Sequence, residues 1–123
     1  MAVQRNQREP NEFVPLTPSV FTILMVLSDA DAHGYGIKKD VEQRSEGRIR
    51  LEPGTLYRVI GKLLDDGLID EARRKLQPNE DERRRYYRLT QLGRQVLVAE
   101  AERLAVLIDS ARAKRLIKQV GSS

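Results

Sequence analysis

Residues 53–69 have the sequence PGTLYRVIGKLLDDGLI, and this stretch decides the fold. Proline is favoured at the first position of a helix, so Pro53 predicts where a helix begins. Apolar residues then recur at helical spacing and form one stripe, made of Leu56, Val59, Ile60, Leu63 and Leu64. The run Asp65-Asp66-Gly67 closes the segment. We therefore predict a helix over residues 53–66 that packs one face against a core.

The opposite face of this helix carries small and cationic residues, namely Thr55, Arg58, Gly61 and Lys62. A helix that enters the DNA major groove needs an apolar stripe toward its own domain and small or cationic side chains on the other side. Gly61 lies in mid-helix, where glycine costs about 1 kcal/mol relative to alanine. Close approach of a large partner and tolerated drift explain this glycine equally well. An ordinary solvated helix surface is the alternative for the whole face.

Two more helices are predicted upstream of this stretch. Thr17-Pro18 indicates a helix start, since a threonine cap followed by proline is typical of one, and the apolar run that follows predicts a buried helix to about Ala30. Residues 29–34 break it, and a second helix is predicted over 35–45, ending at Gly47. Residues 1–15 contain two prolines and little periodicity, which predicts a flexible arm.

Downstream, residues 68–74 and 84–89 have the composition of two strands, with Pro78-Asn79 as the turn of a hairpin. Thr90 then caps a long helix predicted to run to about residue 120. The predicted fold class is mainly α with a two-stranded β-wing, a winged helix-turn-helix with a long C-terminal dimerisation helix. The predicted parts are an arm over 1–15, a DNA-binding domain over 16–89 and the dimerisation helix over 90–120.

Apolar residues along the long helix repeat at alternating spacings of four and three, as in a coiled-coil seam. The seam consists of Leu97, Ala101, Leu104, Ile108 and Ala111. One small domain does not cover a helix of this length. The sequence therefore predicts that the seam pairs with a second copy of the chain in a homodimer.

The predicted hairpin concentrates six cations, Arg73, Arg74, Lys75, Arg83, Arg84 and Arg85. Like charges across a hairpin destabilise it, so this clustering favours a contact with a phosphate backbone over a role in folding. Three acids at the tip, Glu80, Asp81 and Glu82, have two open explanations. They either lower background binding by repelling phosphate, or they pair with the arginines and keep the hairpin folded.

Composition excludes several classes of protein. The chain has 123 residues, a net charge of +4 and no cysteine, which excludes a disulfide framework and thiolate metal sites. His33 is the only histidine, and Gly34-Tyr35-Gly36 is half of a phosphate-binding loop. No nucleophile, base or metal set can be named, so we expect neither an enzyme nor a cofactor. The longest apolar run is far shorter than the roughly 20 residues that span a bilayer, and we expect a cytoplasmic protein.

Four motifs, in this order and spacing, resemble those of the PadR family of transcriptional regulators: HGYGI at 33–37, LEPGTLYRVI at 51–60, LLDDGLI at 63–69 and RRYYRLTQLG at 84–93. The resemblance covers roughly residues 16–110 and fits the family's small subclass, which has a single C-terminal helix. It implies a homodimeric winged-helix repressor that binds double-stranded DNA at a palindromic operator. It also implies release by a small-molecule effector, as in many members of the family.

Carried onto the matching positions, the resemblance implies DNA contacts by Tyr35, Lys38, Thr55, Tyr57, Arg58, Lys62, Arg83, Arg84 and Arg85. Tyr57 lies at the edge of its helix's apolar stripe, so packing and phosphate contact are both open for it. Tyr87 is expected in the core and Tyr86 outside it. The chain has no tryptophan, so a drug pocket of stacked tryptophans is not expected. The alternative function, from another class, is a winged-helix module that binds protein without specific DNA contact.

Overall fold

The computed structural model describes residues 8–72 and 85–118. Within these ranges the chain forms four α-helices, three short strands and one N-terminal turn of 3-10 helix. The helices are α1 Pro18–Asp29, α2 Gly34–Arg44, α3 Pro53–Asp65 and α4 Gln91–Ala113, the strands are β1 Ala32–His33, β2 Ile69–Ala72 and β3 Tyr86–Leu89, and the 3-10 helix is Pro10–Phe13. All four helices predicted from the sequence are confirmed, and the ends of α1, α2 and α3 differ by one or two residues from the predicted ones. Strands β2 and β3 lie within the two predicted strand segments.

Side-chain caps fix where three of the helices begin. The Thr17 hydroxyl accepts a hydrogen bond from the Val20 amide at 3.1 Å, and the Thr90 hydroxyl accepts one from the Gly93 amide at 2.9 Å. His33 caps α2 through its ring, since Nδ1 accepts from the Gly36 amide at 3.1 Å. These bonds satisfy amide groups that the first turn of a helix leaves without partners.

The sheet has a third strand that the sequence did not predict. The strand order in the sheet is β1-β3-β2, and both pairings are antiparallel. Tyr87 on the central strand β3 lies opposite Ala32 of β1 on one side and opposite Glu71 of β2 on the other. The two residues of β1 lie in the stretch 29–34, which was predicted only as a break. A strand of two residues has no alternation to detect, and it forms here because the edge of β3 supplies its hydrogen-bond partners.

The core lies between the four helices and the sheet. It is built from the apolar faces of α1, α2 and α3, from Tyr87 on the sheet, and from Val96 and Leu97 on α4. The first turn of α4 packs tightly against Leu68, between α3 and β2. A Cβ atom built on Gly93 would lie 2.0 Å from the Leu68 carbonyl oxygen. Only glycine allows this approach, and it sets the position of α4 on the domain.

The described part of the N-terminal segment, residues 8–16, packs on the domain and is not the free arm that its composition predicted. The 3-10 helix contacts α4, and the Leu16 amide donates to the Glu100 carboxylate at 3.0 Å. The Arg8 guanidinium lies over the Phe13 ring, 4.0 Å from its centroid. The packing was not predicted because its partner is a face of α4, about ninety positions further along the chain.

Helix α4 ends at Ala113, short of the predicted end near residue 120. The Leu116 amide turns back to donate to the Ala111 carbonyl at 2.9 Å, and Arg115 adopts a φ of 62°. A residue in this left-handed conformation ends a helix by supplying partners to its last carbonyls. None of the helices in the described ranges is long and apolar enough to cross a membrane.

Candidate nucleic-acid interface

Helix α3 separates a buried face from an exposed face as its sequence predicted. Leu56, Ile60 and Leu63 point into the core and are almost fully buried. At 100° per residue, the direction opposite to them holds Gly54, Arg58 and Gly61 along one line. Lys62 and Thr55 flank this line on one side, with Lys62 exposed and Thr55 half-buried. The predicted residues of this face therefore share one outward surface.

Two tyrosines lie beside this surface, at the start of α2 and in the first turns of α3. Tyr35 is 64% exposed and Tyr57 is 53% exposed. The hydroxyl end of Tyr57 packs against the backbone of α2 at Gly34. The contact is so close that a Cβ atom built on Gly34 would lie 2.3 Å from the Tyr57 hydroxyl oxygen. Tyr57 thus packs one end of its ring between α2 and α3 and leaves half of its surface open to a partner.

Three of the cations predicted to contact DNA are ion-paired within the chain. Lys38 pairs with Glu42 at 2.8 Å, Lys62 with Asp66 at 3.1 Å and Arg85 with Glu71 at 2.7 Å. The hydrogen bond between Lys38 and Glu42 raises the pKa of the lysine and lowers the pKa of the carboxylate. The bond to Glu71 likewise raises the pKa of Arg85. Each of the three cations can exchange its carboxylate for a phosphate.

Arg58 differs from these three cations. It is exposed on the outward line of α3, and no carboxylate in the described ranges lies within ion-pair distance of it. A guanidinium in this position keeps its planar fork of donors available to an external acceptor. Of the four predicted DNA-binding cations within these ranges, Lys38, Arg58, Lys62 and Arg85, Arg58 is the one that no ion pair within the ranges holds.

Only part of the predicted wing falls within the described residues. Arg85 is exposed at the start of β3, whereas Arg73, Arg74, Lys75, Arg83, Arg84 and the acids Glu80, Asp81 and Glu82 lie outside the described ranges. The two tyrosines of β3 have different surroundings. Tyr87 is in the core, where burial raises its pKa. Tyr86 is half-buried, and its ring packs edge-on against the His33 ring with 5.2 Å between the two ring centroids.

In the ranges 8–72 and 85–118 there is no group of three or more histidine or acidic side chains arranged to hold a metal ion. The candidate functional surface of the described chain is the cationic and aromatic face formed by the start of α2, the outward line of α3 and Arg85, next to β3.

Comparison with known proteins identifies the family. The family model of the transcriptional regulator PadR-like family matches residues 23–99, which is more than half of the chain. The chain belongs to the PadR-like family. Members of this family are transcriptional regulators, and the resemblance drawn from the four sequence motifs is confirmed.

Two solved structures resemble this PadR-like chain. A PadR family transcription regulator from Clostridium difficile is 24% identical, with a TM-score of 0.67 over 79% of this chain and 97% of that one. PadR of Bacillus subtilis, solved in complex with operator DNA, is 26% identical, with a TM-score of 0.58 over 69% of this chain and 46% of that one. The winged-helix fold is common to them.

One relative known from sequence is an uncharacterized 37.1 kDa protein in a transposon of Streptomyces fradiae. It is 37% identical over 86 residues, which are 69% of this PadR-like chain but 22% of the relative's length. The matched part of the chain thus spans about a fifth of that protein.

The seam predicted along α4 divides in two in the PadR-like structure. Leu97 packs into the core and is 7% exposed, so it contributes to its own domain. Ala101 and Ile108 are exposed, and Leu104 and Ala111 are half-buried. Leu107, which the seam did not include, continues the face that buries Val96 and Leu97 and is exposed. Leu107 could have been predicted from the sequence by extending the apolar face at the start of the helix in steps of 100° per residue, rather than by the heptad spacing alone.

Proposed function

We propose that this chain is a homodimeric repressor that binds a palindromic DNA operator with α3 as its recognition helix. The observation that carries the proposal is the outward line of α3. It presents Arg58, which no carboxylate of residues 8–72 and 85–118 pairs with, between two glycines. Lys62 lies beside Arg58, and the apolar side of the helix is buried. A helix of this kind places its outward residues in the major groove, where arginine donates two hydrogen bonds to guanine.

The other cations of the face have a different role in this proposal. Lys38 and Arg85 lie outside α3, and both are held by carboxylates on the protein surface. Ion pairs of exposed groups contribute little to stability, so exchange of the carboxylate for a phosphate costs little. We assign these two residues, with Tyr35 and the exposed part of Tyr57, to the DNA backbone. The wing residues Arg83 and Arg84 stay predicted phosphate contacts. Backbone contacts fix register and base contacts read sequence.

The homodimer is supported by the apolar side chains of α4 that the domain leaves exposed or half-buried. Leu104, Leu107 and Ile108 continue the buried face of the helix beyond the domain that covers its first turns. Exposed apolar rows of this kind are typical of an interface. A symmetric dimer would present two α3 helices to a palindromic site. The relative from Bacillus subtilis binds operator DNA, which supports the same class of ligand here. Release by a small molecule stays a prediction of the family resemblance.

The proposal is tested by the DNA affinity of the Arg58→Ala variant. Fluorescence anisotropy would measure binding to the DNA upstream of the chain's own gene and to shuffled DNA of the same composition. We expect the substitution to cost about 1–3 kcal/mol on the specific site and to relax discrimination at one base position. Lys114→Ala, which removes the same charge beyond the end of α4, is the matched control and should leave discrimination intact.

Two results would contradict the proposal. Equal weakening on specific and shuffled DNA would make Arg58 a phosphate contact and move sequence readout elsewhere. A wild-type protein that binds both DNAs alike, or neither, would favour the alternative of a winged-helix module that binds protein.

A further inference from the structure

Gly61 lies in the middle of α3, and its backbone does not require glycine. The glycines of the described chain with a left-handed φ are Gly47 and Gly67, at turns, whereas Gly61 has ordinary helical geometry. Glycine is the poorest helix former after proline, because it loses the most backbone freedom. Any other residue except proline would form the helix more readily at this position.

Packing within the chain does not require glycine at this position either. A Cβ atom built on Gly61 meets no atom within 4 Å, and the same holds for Gly54. Two other glycines show the contrast. A Cβ atom at Gly34 would strike the Tyr57 ring, and one at Gly93 would strike the Leu68 carbonyl. The fold therefore explains Gly34 and Gly93 but gives no reason for Gly61.

The position of Gly61 supplies a reason. Gly54, Arg58 and Gly61 are spaced by four and three residues, so they follow one line along the exposed side of α3. Arg58 thus projects from a stretch of bare backbone. The next position on this line is Asp65, an exposed carboxylate, which bounds the stretch at the end of the helix. A flat partner could contact the helix backbone on both sides of the arginine.

We propose that Gly61 is a specificity-determining position for DNA. Its missing side chain lets the backbone of α3 approach the base-pair edges closely enough for Arg58 to reach its base in the bidentate geometry. A methyl group at position 61 would hold the helix away from the groove floor and weaken the base contact, while flexible phosphate contacts would survive. This inference rests on the proposed function, in which α3 is the recognition helix.

The test compares stability and binding in Gly61→Ala and Gly61→Leu. Both residues favour a helix, so both variants should unfold at a higher temperature than the wild type in circular dichroism. In anisotropy titrations, affinity for the upstream DNA should fall about tenfold for alanine, comparable to the loss of one base contact, and further for leucine. Affinity for shuffled DNA should stay unchanged. Ser110→Ala, an exposed helical position on α4, is the matched control and should gain stability without losing affinity.

Three results would overturn the inference. If the variants gain stability and bind the upstream DNA as the wild type does, glycine at position 61 has no role in DNA binding and is tolerated sequence drift. Variants that lose stability would show that the glycine has a role inside the fold. A wild-type protein that does not discriminate between the two DNAs would remove the proposed function itself, and with it this inference. The outcomes are distinguishable, because the first two are measured against a wild type that does discriminate.

Discussion

Carboxylates of the same chain hold most of the cations that face outward from α2, α3 and β3. The pairs Lys38–Glu42 and Lys62–Asp66 join residues one helical turn apart, and Arg85–Glu71 joins two neighbouring strands. The first two pairs follow from their spacing of four and could be predicted from the sequence. The third depends on the register of β2 and β3, which sequence patterning left open. Arg58 was predicted as a DNA contact from its place on the outward face of the helix, and the structure adds that it is unpaired within the described ranges.

At this scale, we predict that Glu71→Gln raises DNA affinity. The substitution frees Arg85 and removes a charge that repels phosphate, so affinity for DNA of any sequence should rise about two- to fivefold, the modest effect expected for an exposed ion pair. Anisotropy at several salt concentrations would measure it. Glu102→Gln, the same charge change on an exposed position of α4, should have no comparable effect. An unchanged affinity for Glu71→Gln would place Arg85 away from the DNA.

Hydrogen bonds of Thr90 join the start of α4 to the turn between α3 and β2. The Thr90 hydroxyl donates to the Gly67 carbonyl at 2.7 Å and also caps α4, while the Thr90 amide donates to Leu68 at 3.1 Å. The cap was predicted from the sequence, since threonine before a helix is a recognised signal. The contact of Gly93 with Leu68 was not predicted, because nothing in the local sequence indicates that two elements approach so closely.

We predict that Gly93→Ala destabilises the fold. Its new methyl group would overlap the Leu68 carbonyl, so α4 must shift, at a cost of about 1–3 kcal/mol for overpacking. Urea unfolding would measure the change in the free energy of unfolding. Gly54→Ala, which adds the same methyl group into open space, is the control and should not destabilise. Equal stability of the two variants would mean that α4 is not fixed by this contact.

Glu100 joins the N-terminal segment to α4 and is 1% exposed. Two hydrogen bonds from Arg103, at 2.6 and 2.9 Å, and one from the Leu16 amide lower the pKa of its carboxyl group, against the opposite effect of burial. A group with a lowered pKa in the folded state stabilises the fold above its ordinary pKa and loses this contribution as the pH falls through the lowered one. The buried acid was not singled out from the sequence, because its partner segment was predicted as an arm.

We therefore predict that wild type and Glu100→Gln differ in stability at pH 7 and converge in acid. The wild type should be the more stable at pH 7, by about 1–3 kcal/mol for a charged hydrogen bond. The difference should shrink as the pH falls below the ordinary range of a glutamate. Urea unfolding of both proteins across this pH range would measure it. A difference that stays constant with pH would contradict the role of the ionised carboxylate.

At the scale of the whole fold, residues 8–72 and 85–118 present a cationic face around α3 and, on a different element, an apolar row on α4. The sequence predicted both, but it placed Leu97 in the row because the heptad spacing carries no information on where the domain ends. In the structure the first turns of α4 belong to the core, and the exposed row begins at Ala101. The N-terminal segment covers part of the same helix, a tertiary contact that no local pattern indicates.

The apolar row leads to a prediction about assembly. The double variant Leu104→Asp and Ile108→Asp should be a monomer of 14.1 kDa, whereas the wild type should have twice that mass. Buried carboxylates in an apolar interface cost too much for it to persist. Val106→Asp, on the opposite side of α4 and 68% exposed, should remain a dimer. Light scattering measures all three, and a dimeric double variant would contradict the interface.

The central claim is that two copies of α3 read a symmetric DNA site, and footprinting on the DNA upstream of the chain's own gene tests it most directly. We predict two protected half-sites of the same sequence in inverted orientation, with centres about 10 base pairs or a multiple of that apart. Protection should weaken sharply at these positions with Arg58→Ala. Uniform protection without preferred positions, or a single protected half-site under conditions where the protein is dimeric, would contradict the account.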